Sequence, residues 1–91
     1  AARLLVYQAA YHEDTGSSRL SLYSSMCKMY ASEVANEVAG QAVQIHGGYG
    51  YIHEYPVEWM FRDAKLAQIG GGTSEIQRTV IARMMKEEMG R

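Results

Sequence analysis

The chain has 91 residues, 47% of them hydrophobic, with one Pro, one Cys and a formal net charge of −1. That length allows one small domain at most, burying roughly 60–65% of the surface its unfolded chain exposes. The near-neutral, scattered charge offers no basic surface to nucleic acid; the lone Cys27 excludes an internal disulfide or a cysteine-built metal site; no stretch approaches the ~18–20 apolar residues of a membrane span.

The first segment, about residues 1–14, carries Leu4, Leu5, Tyr7 and Tyr11 at helical spacing. It begins without Met and reads as the middle of a helix, so the sequence is expected to be a piece of a longer chain. Asp14-Thr15-Gly16-Ser17-Ser18 should stop this helix, because Gly ends helices and Thr and Ser favour turns. His12, Glu13 and Asp14 are expected to decorate its C-terminus.

A long helix is predicted over about 19–45. Leu22, Met26, Met29, Val34, Val38 and Val43 form its apolar stripe, and its Ala-rich second half allows close backbone approach. Cys27, between Met26 and Lys28, is expected to be buried and inert. Gly47-Gly48-Tyr49-Gly50-Tyr51 should then end the helix.

Pro56 is expected to open a short third helix, about 57–66, with Val57, Met60, Phe61 and Ala64 on its apolar face. Gly70-Gly71-Gly72 makes a second glycine loop. The last helix, about 74–89, starts at Thr73 or Ser74, where Ser74-Glu75-Ile76-Gln77 fits a capping box. Ile76, Val80, Ile81, Met84 and Met85 are its predicted buried stripe, and Lys86-Glu87-Glu88 a solvated face. No β pattern appears. The fold class is therefore all-α, an antiparallel helical bundle segment whose apolar faces exceed what these helices can cover. Further helices or other subunits are expected to complete it.

The chemistry concentrates at the two glycine loops. The second delivers into a helix N-terminus, where free N–H groups and the positive dipole end favour oxygen acceptors and anions. A ligand there and a plain helix-to-helix connection both fit the spacing. Gly47-Gly48-Tyr49-Gly50 follows a helix and lacks the G-x-G-x-x-G spacing, which excludes a Rossmann fingerprint. His46 and His53, seven residues apart, match no helical metal-ligand pair, and no metal is expected.

Taken in order, Ala42-Val43-Gln44-Ile45-His46-Gly47-Gly48-Tyr49-Gly50-Tyr51, Tyr55-Pro56-Val57-Glu58, Arg62-Asp63-Ala64-Lys65, Gly72-Thr73-Ser74-Glu75-Ile76-Gln77-Arg78 and Ile81-Ala82-Arg83 carry a resemblance. The chain resembles the C-terminal helical domain of the acyl-CoA dehydrogenases over nearly its whole length. The resemblance implies a subunit with an N-terminal helical domain, a middle β domain and this bundle, assembled as a homodimer or homotetramer, with FAD bound between domains and against a neighbouring subunit. It implies that Gln44, Ile45, His46, Gly47 and Gly48 contact the adenosine-diphosphate end of FAD from the adjacent subunit. Thr73, Ser74 and Glu75 would be a second FAD-contacting group, and Gly71 and Gly72 would lie beside the acyl-CoA thioester.

The implied reaction is α,β-dehydrogenation of an acyl-CoA, with electrons passing to an electron-transfer flavoprotein. Many members carry the catalytic glutamate where this chain has Gly71, so no catalytic residue is expected within it. Isovaleryl-CoA-like and long-chain-like members place a small residue there and supply the glutamate from an earlier helix; that arrangement is the one expected here. Glu75 is not expected to substitute, because the resemblance gives it to FAD. A family member without dehydrogenase activity, an acyl-CoA oxidase or nitroalkane-oxidase-like flavoenzyme, and a non-catalytic helical oligomerisation module stay open as alternatives. The segment alone is expected to be inactive and to self-associate. The implied location is the bacterial cytoplasm, or the mitochondrial matrix in a eukaryote.

Overall fold

The computed structural model describes residues 1–90. Four helices are present: α1 (Ala2–Asp14), α2 (Leu20–His46), α3 (Val57–Ile69) and α4 (Ser74–Met89), with a 3-10 turn, Gly47–Tyr51, between α2 and α3. Among the described residues there is no strand, and the fold is all-α.

Helix α2, about 40 Å long at 1.5 Å per residue, is the axis on which α1, α3 and α4 each pack. The α1–α2 corner is made by Gly16 at φ +65° and by the Thr15 hydroxyl, which donates to the Tyr11 carbonyl at 2.9 Å. His12 then stacks on Tyr23 of α2, ring centroids 4.3 Å apart and planes 10° from parallel. His12 lies in the last turn of α1, as expected, and its ring is half-buried inside the α1–α2 contact. Against α3, Gly40 of α2 lets the Phe61 ring approach to 3.1 Å from where a Cβ would stand. Against α4, Arg78 donates to Glu33 at 2.6 Å and Arg19 to Glu88 at 2.8 Å. The hydrogen bond to Glu88, and secondarily its charge, raise Arg19 above its ordinary pKa.

Three boundaries differ from the sequence reading. Arg19 caps α2 instead of belonging to it. Helix α3 runs three residues past 66, to Ile69, because nothing before Gly70 breaks it. Pro56 occupies the cap before α3, with Val57 as the first helical residue. The glycine-rich stretch after α2 is not irregular: it tightens into a 3-10 turn.

The chain is elongated, 54 × 24 × 19 Å, with a radius of gyration of 16.1 Å. A compact domain of this length would have about 12 Å. Among the described residues only Ala9, Leu22 and Val57 are buried apolar ones, and Cys27 is half-buried, its thiol donating to the Ser24 carbonyl at 3.3 Å. On α4, Val80, Ile81 and Met84 are half-buried, but Ile76 (57% exposed) and Met85 (50%) stand in solvent, which corrects the predicted buried stripe. The cause is that α2 covers one side of α4 only. Tyr7, Val38, Ile45, Trp59 and Leu66 are likewise exposed. Faces of this kind mark surfaces that other protein covers.

Candidate functional site

The Gly70–Gly72 loop takes its shape from two adjacent left-handed residues, Gly71 at φ +70° and Gly72 at φ +102°. Side-chain-bearing L residues rarely adopt either conformation. Two side chains from different helices grip the loop's carbonyls. Lys28 of α2 donates its ammonium to the Gly72 carbonyl, and Gln77 of α4 donates Nε2 to the Gly71 carbonyl at 3.3 Å. Among the described residues, nothing accepts from the N–H groups of Gly71, Gly72 or Thr73.

The capping box read at Ser74–Gln77 is corrected. Thr73 is the cap, its Oγ1 accepting from the Ile76 N–H at 3.3 Å, and the Gln77 side chain reaches back past the cap to the loop. That shift leaves Ser74 as the first helical residue, 6% exposed, with an Oγ that has no hydrogen-bond partner. It lines a cavity of about 160 Å³ together with Thr73, Glu75, Glu33, Lys65 and Arg78. A buried hydroxyl without a partner costs on the order of 1–3 kcal/mol. The Ser74 hydroxyl, Thr73 and the positive end of α4 thus meet at one polar hollow.

The first glycine loop is built differently. Gly47 ends α2 at φ +62°, and a Cβ on Gly47 or Gly48 would meet nothing within 4 Å. Gly50 is the tight position, where a Cβ would stand 2.6 Å from the Val43 carbonyl oxygen. His46 Nδ1 lies 2.9 Å from the Ala42 carbonyl, which can only accept. A proton on Nδ1 makes this hydrogen bond. Tyr49 packs beside Tyr55 with centroids 5.4 Å apart, and Gln44 and Ile45 are exposed. His53 pairs with Glu58 at 3.5 Å, away from His46's own bond. Among the described residues no three His, Cys, Asp or Glu side chains converge as metal ligands.

The two groups of residues singled out in the sequence do not share one pocket. Residues 71–75 lie against α2 near Lys28 and Glu33, whereas 44–48 form its C-terminal end, about 16–24 Å further along the helix. Lys28 and Gln77 were missed by sequence reasoning. The available signal was that Lys28 is the one charged residue between Arg19 and Glu33, inside an otherwise apolar and small stretch.

Similarity to known proteins identifies the family. Residues 1–86 match the family described as acyl-CoA dehydrogenase, C-terminal domain. The chain belongs to that family. It is 57% identical to the acryloyl-CoA reductase (NADH) of Anaerotignum propionicum, over 91% of this chain and 21% of the relative. It is 52% identical to a subunit of the caffeyl-CoA reductase–Etf complex of Acetobacterium woodii, over 93% of this chain and 22% of that subunit. The butyryl-CoA dehydrogenase structure from Megasphaera elsdenii superposes with a TM-score of 0.88 and 45% identity, over 92% of this chain and 22% of that one. The acyl-CoA dehydrogenase segment thus spans between a fifth and a quarter of the length of these relatives.

Proposed function

We propose that this segment serves a flavin-dependent acyl-CoA dehydrogenase, supplying part of the FAD site and the backbone donors that face the acyl thioester. The observation that carries the reading is the set of free N–H groups at Gly71, Gly72 and Thr73, in the loop that leads into α4. Removing a proton from the α-carbon of a thioester is difficult because the resulting enolate is poorly stabilised in water. Fixed N–H donors aimed at the carbonyl oxygen lower that cost, and each such donor is worth roughly 3–4 kcal/mol in the transition state. Gly71 retains its N–H while bringing no side chain to take the proton. The base therefore comes from outside this segment, as in the isovaleryl-like and long-chain-like arrangements.

The residues present fit FAD. The unpartnered Ser74 hydroxyl, Thr73 and the positive end of α4 suit polar and anionic groups of a dinucleotide. Gly47 and Gly48, with open space beside them, allow a ligand to lie against the backbone, and Gln44 and His46 Nε2 add polar contacts. The separation of the two groups along α2 supports assigning Gln44–Gly48 to the FAD of a neighbouring subunit in a homodimer or homotetramer. When bound, FAD supplies the acceptor for hydride from the β-carbon.

The relatives named as reductases favour a second direction for the same chemistry. A site that stabilises the enolate-like transition state stabilises it from either side, so these residues serve reduction of an α,β-unsaturated acyl-CoA equally. A relative named as part of an Etf complex supports an electron-transfer flavoprotein as the redox partner. The deciding experiment is an anaerobic absorbance spectrum of the full-length flavoprotein titrated with saturated acyl-CoAs. Bleaching of the flavin band with one acyl class is expected. A flavin band untouched by saturated acyl-CoAs, but reoxidised after reduction by unsaturated ones, would establish the reductive direction. A protein without flavin would overturn the reading.

A further inference from the structure

We propose that Lys28 and Gln77 are positioning residues of this site, holding the two left-handed glycines so that the backbone donors stay free and aligned for the thioester. The proposal rests on the acyl-CoA reading above and names the device that makes it work. Three consecutive glycines have no intrinsic reason to keep one conformation, because each samples positive and negative φ about equally. A donor array built on them is useful only if something outside the loop fixes it. The structure supplies two such restraints on adjacent carbonyls, one from α2 and one from α4.

Lys28 is an unusual choice for a purely structural contact. Its side chain is half-buried, ordering a lysine costs up to about 2 kcal/mol, and among the described residues its ammonium makes no ion pair. The charge is spent on a main-chain carbonyl. A hydrogen bond received by a peptide carbonyl polarises the whole peptide unit and strengthens its N–H as a donor. The Gly71 carbonyl shares its peptide with the Gly72 N–H, and the Gly72 carbonyl with the Thr73 N–H. Gln77 and Lys28 therefore act on two of the free donors, and the full positive charge acts on the Thr73 N–H. Lys28 also leaves an uncompensated positive charge beside the place where enolate charge develops.

The test uses the full-length flavoprotein with Lys28→Met, Lys28→Arg and Gln77→Leu. Three quantities are measured: the rate of flavin bleaching by acyl-CoA, KM, and the pH at which bound 3-oxoacyl-CoA ionises to its enolate. Lys28→Met is expected to slow bleaching roughly ten- to a hundredfold, with KM changed less than about twofold. It should also raise the ionisation pH of the bound 3-oxoacyl-CoA. Lys28→Arg should recover most of both, and Gln77→Leu should move both in the same direction by less. If Lys28→Met does not fold, Gln77→Leu carries the test alone. An unchanged ionisation pH in correctly folded, flavin-loaded variants would overturn the proposal, even if their rates fell. A wild-type flavin that no acyl-CoA reduces or reoxidises would instead sink the underlying reading, a result that needs no variant.

Discussion

The turn at residues 47–51 and the loop at residues 70–72 both follow a helix and both are rich in glycine, yet they are held in opposite ways. The first is fixed from within: Gly50 is pressed against the Val43 carbonyl, and Tyr49 leans on Tyr55, while Gly47 and Gly48 face open space. The second is fixed from outside, by Lys28 and Gln77 on its carbonyls, while its N–H groups are left free. Packing of backbone on backbone gives the first turn a rigid frame with an open rim. Side-chain pins give the second an exposed row of donors. Glycine is therefore used for close approach at Gly50 and for left-handed backbone at Gly71 and Gly72, and substitutions should separate the two uses.

The largest effect is expected at Gly50→Ala. The added methyl would overlap a backbone oxygen at 2.6 Å and His46 Cβ at 3.1 Å, and neither can swing away as a flexible side chain would. Overpacking of this kind costs about 1–3 kcal/mol, and the upper end is expected because backbone must move. The unfolding midpoint of the full-length protein should fall accordingly. A midpoint equal to wild type would show that the first turn is not fixed from within.

A smaller effect is expected at Gly71→Ala. Nothing lies within 4 Å of its added methyl, so the cost is the left-handed φ of +70° alone, about 1–2 kcal/mol. Because the N–H stays, flavin content and acyl-CoA binding should survive this change. A loss as large as that of Gly50→Ala would mean that the loop is packed and not merely pinned, which would erase the contrast between the two regions.

Much of this architecture was legible in the sequence, and the misses have a common origin. The four helices follow from apolar spacing and glycine punctuation, signals that are local. The same glycines located both loops. What the sequence did not show is where long side chains land. Gln77 satisfies a capping-box pattern, yet its amide goes to Gly71 because Thr73 has already taken the cap and the left-handed loop presents a carbonyl within reach. Lys28 reaches a residue 44 positions away, a contact that depends on how α4 crosses α2 and that no local pattern encodes. His12 ends α1 as its position implies, but its stacking on Tyr23 depends on how α1 folds back on α2. The family resemblance supplied roles for Gln44–Gly48 and Thr73–Glu75; it did not supply the restraints that hold them.

The smallest effect on stability, and the most informative on function, is expected at Gly48→Ala. Unlike Gly47 it does not require positive φ, and unlike Gly50 it has open space where a Cβ would go. Alanine also reduces the freedom of the unfolded chain, which favours folding by about 0.4–1 kcal/mol where the native backbone accepts it. The unfolding midpoint of the flavin-free protein should thus be unchanged or slightly higher. If Gly48 is glycine so that FAD can lie against the backbone, the same methyl should weaken flavin binding, read as a lower flavin-to-protein ratio after dilution. Stability and flavin affinity would then move in opposite directions at one atom. Were both to stay at wild-type values, the open rim of the first turn would be free surface, and the FAD contact would have to be sought among Gln44, Ile45 and His46 instead.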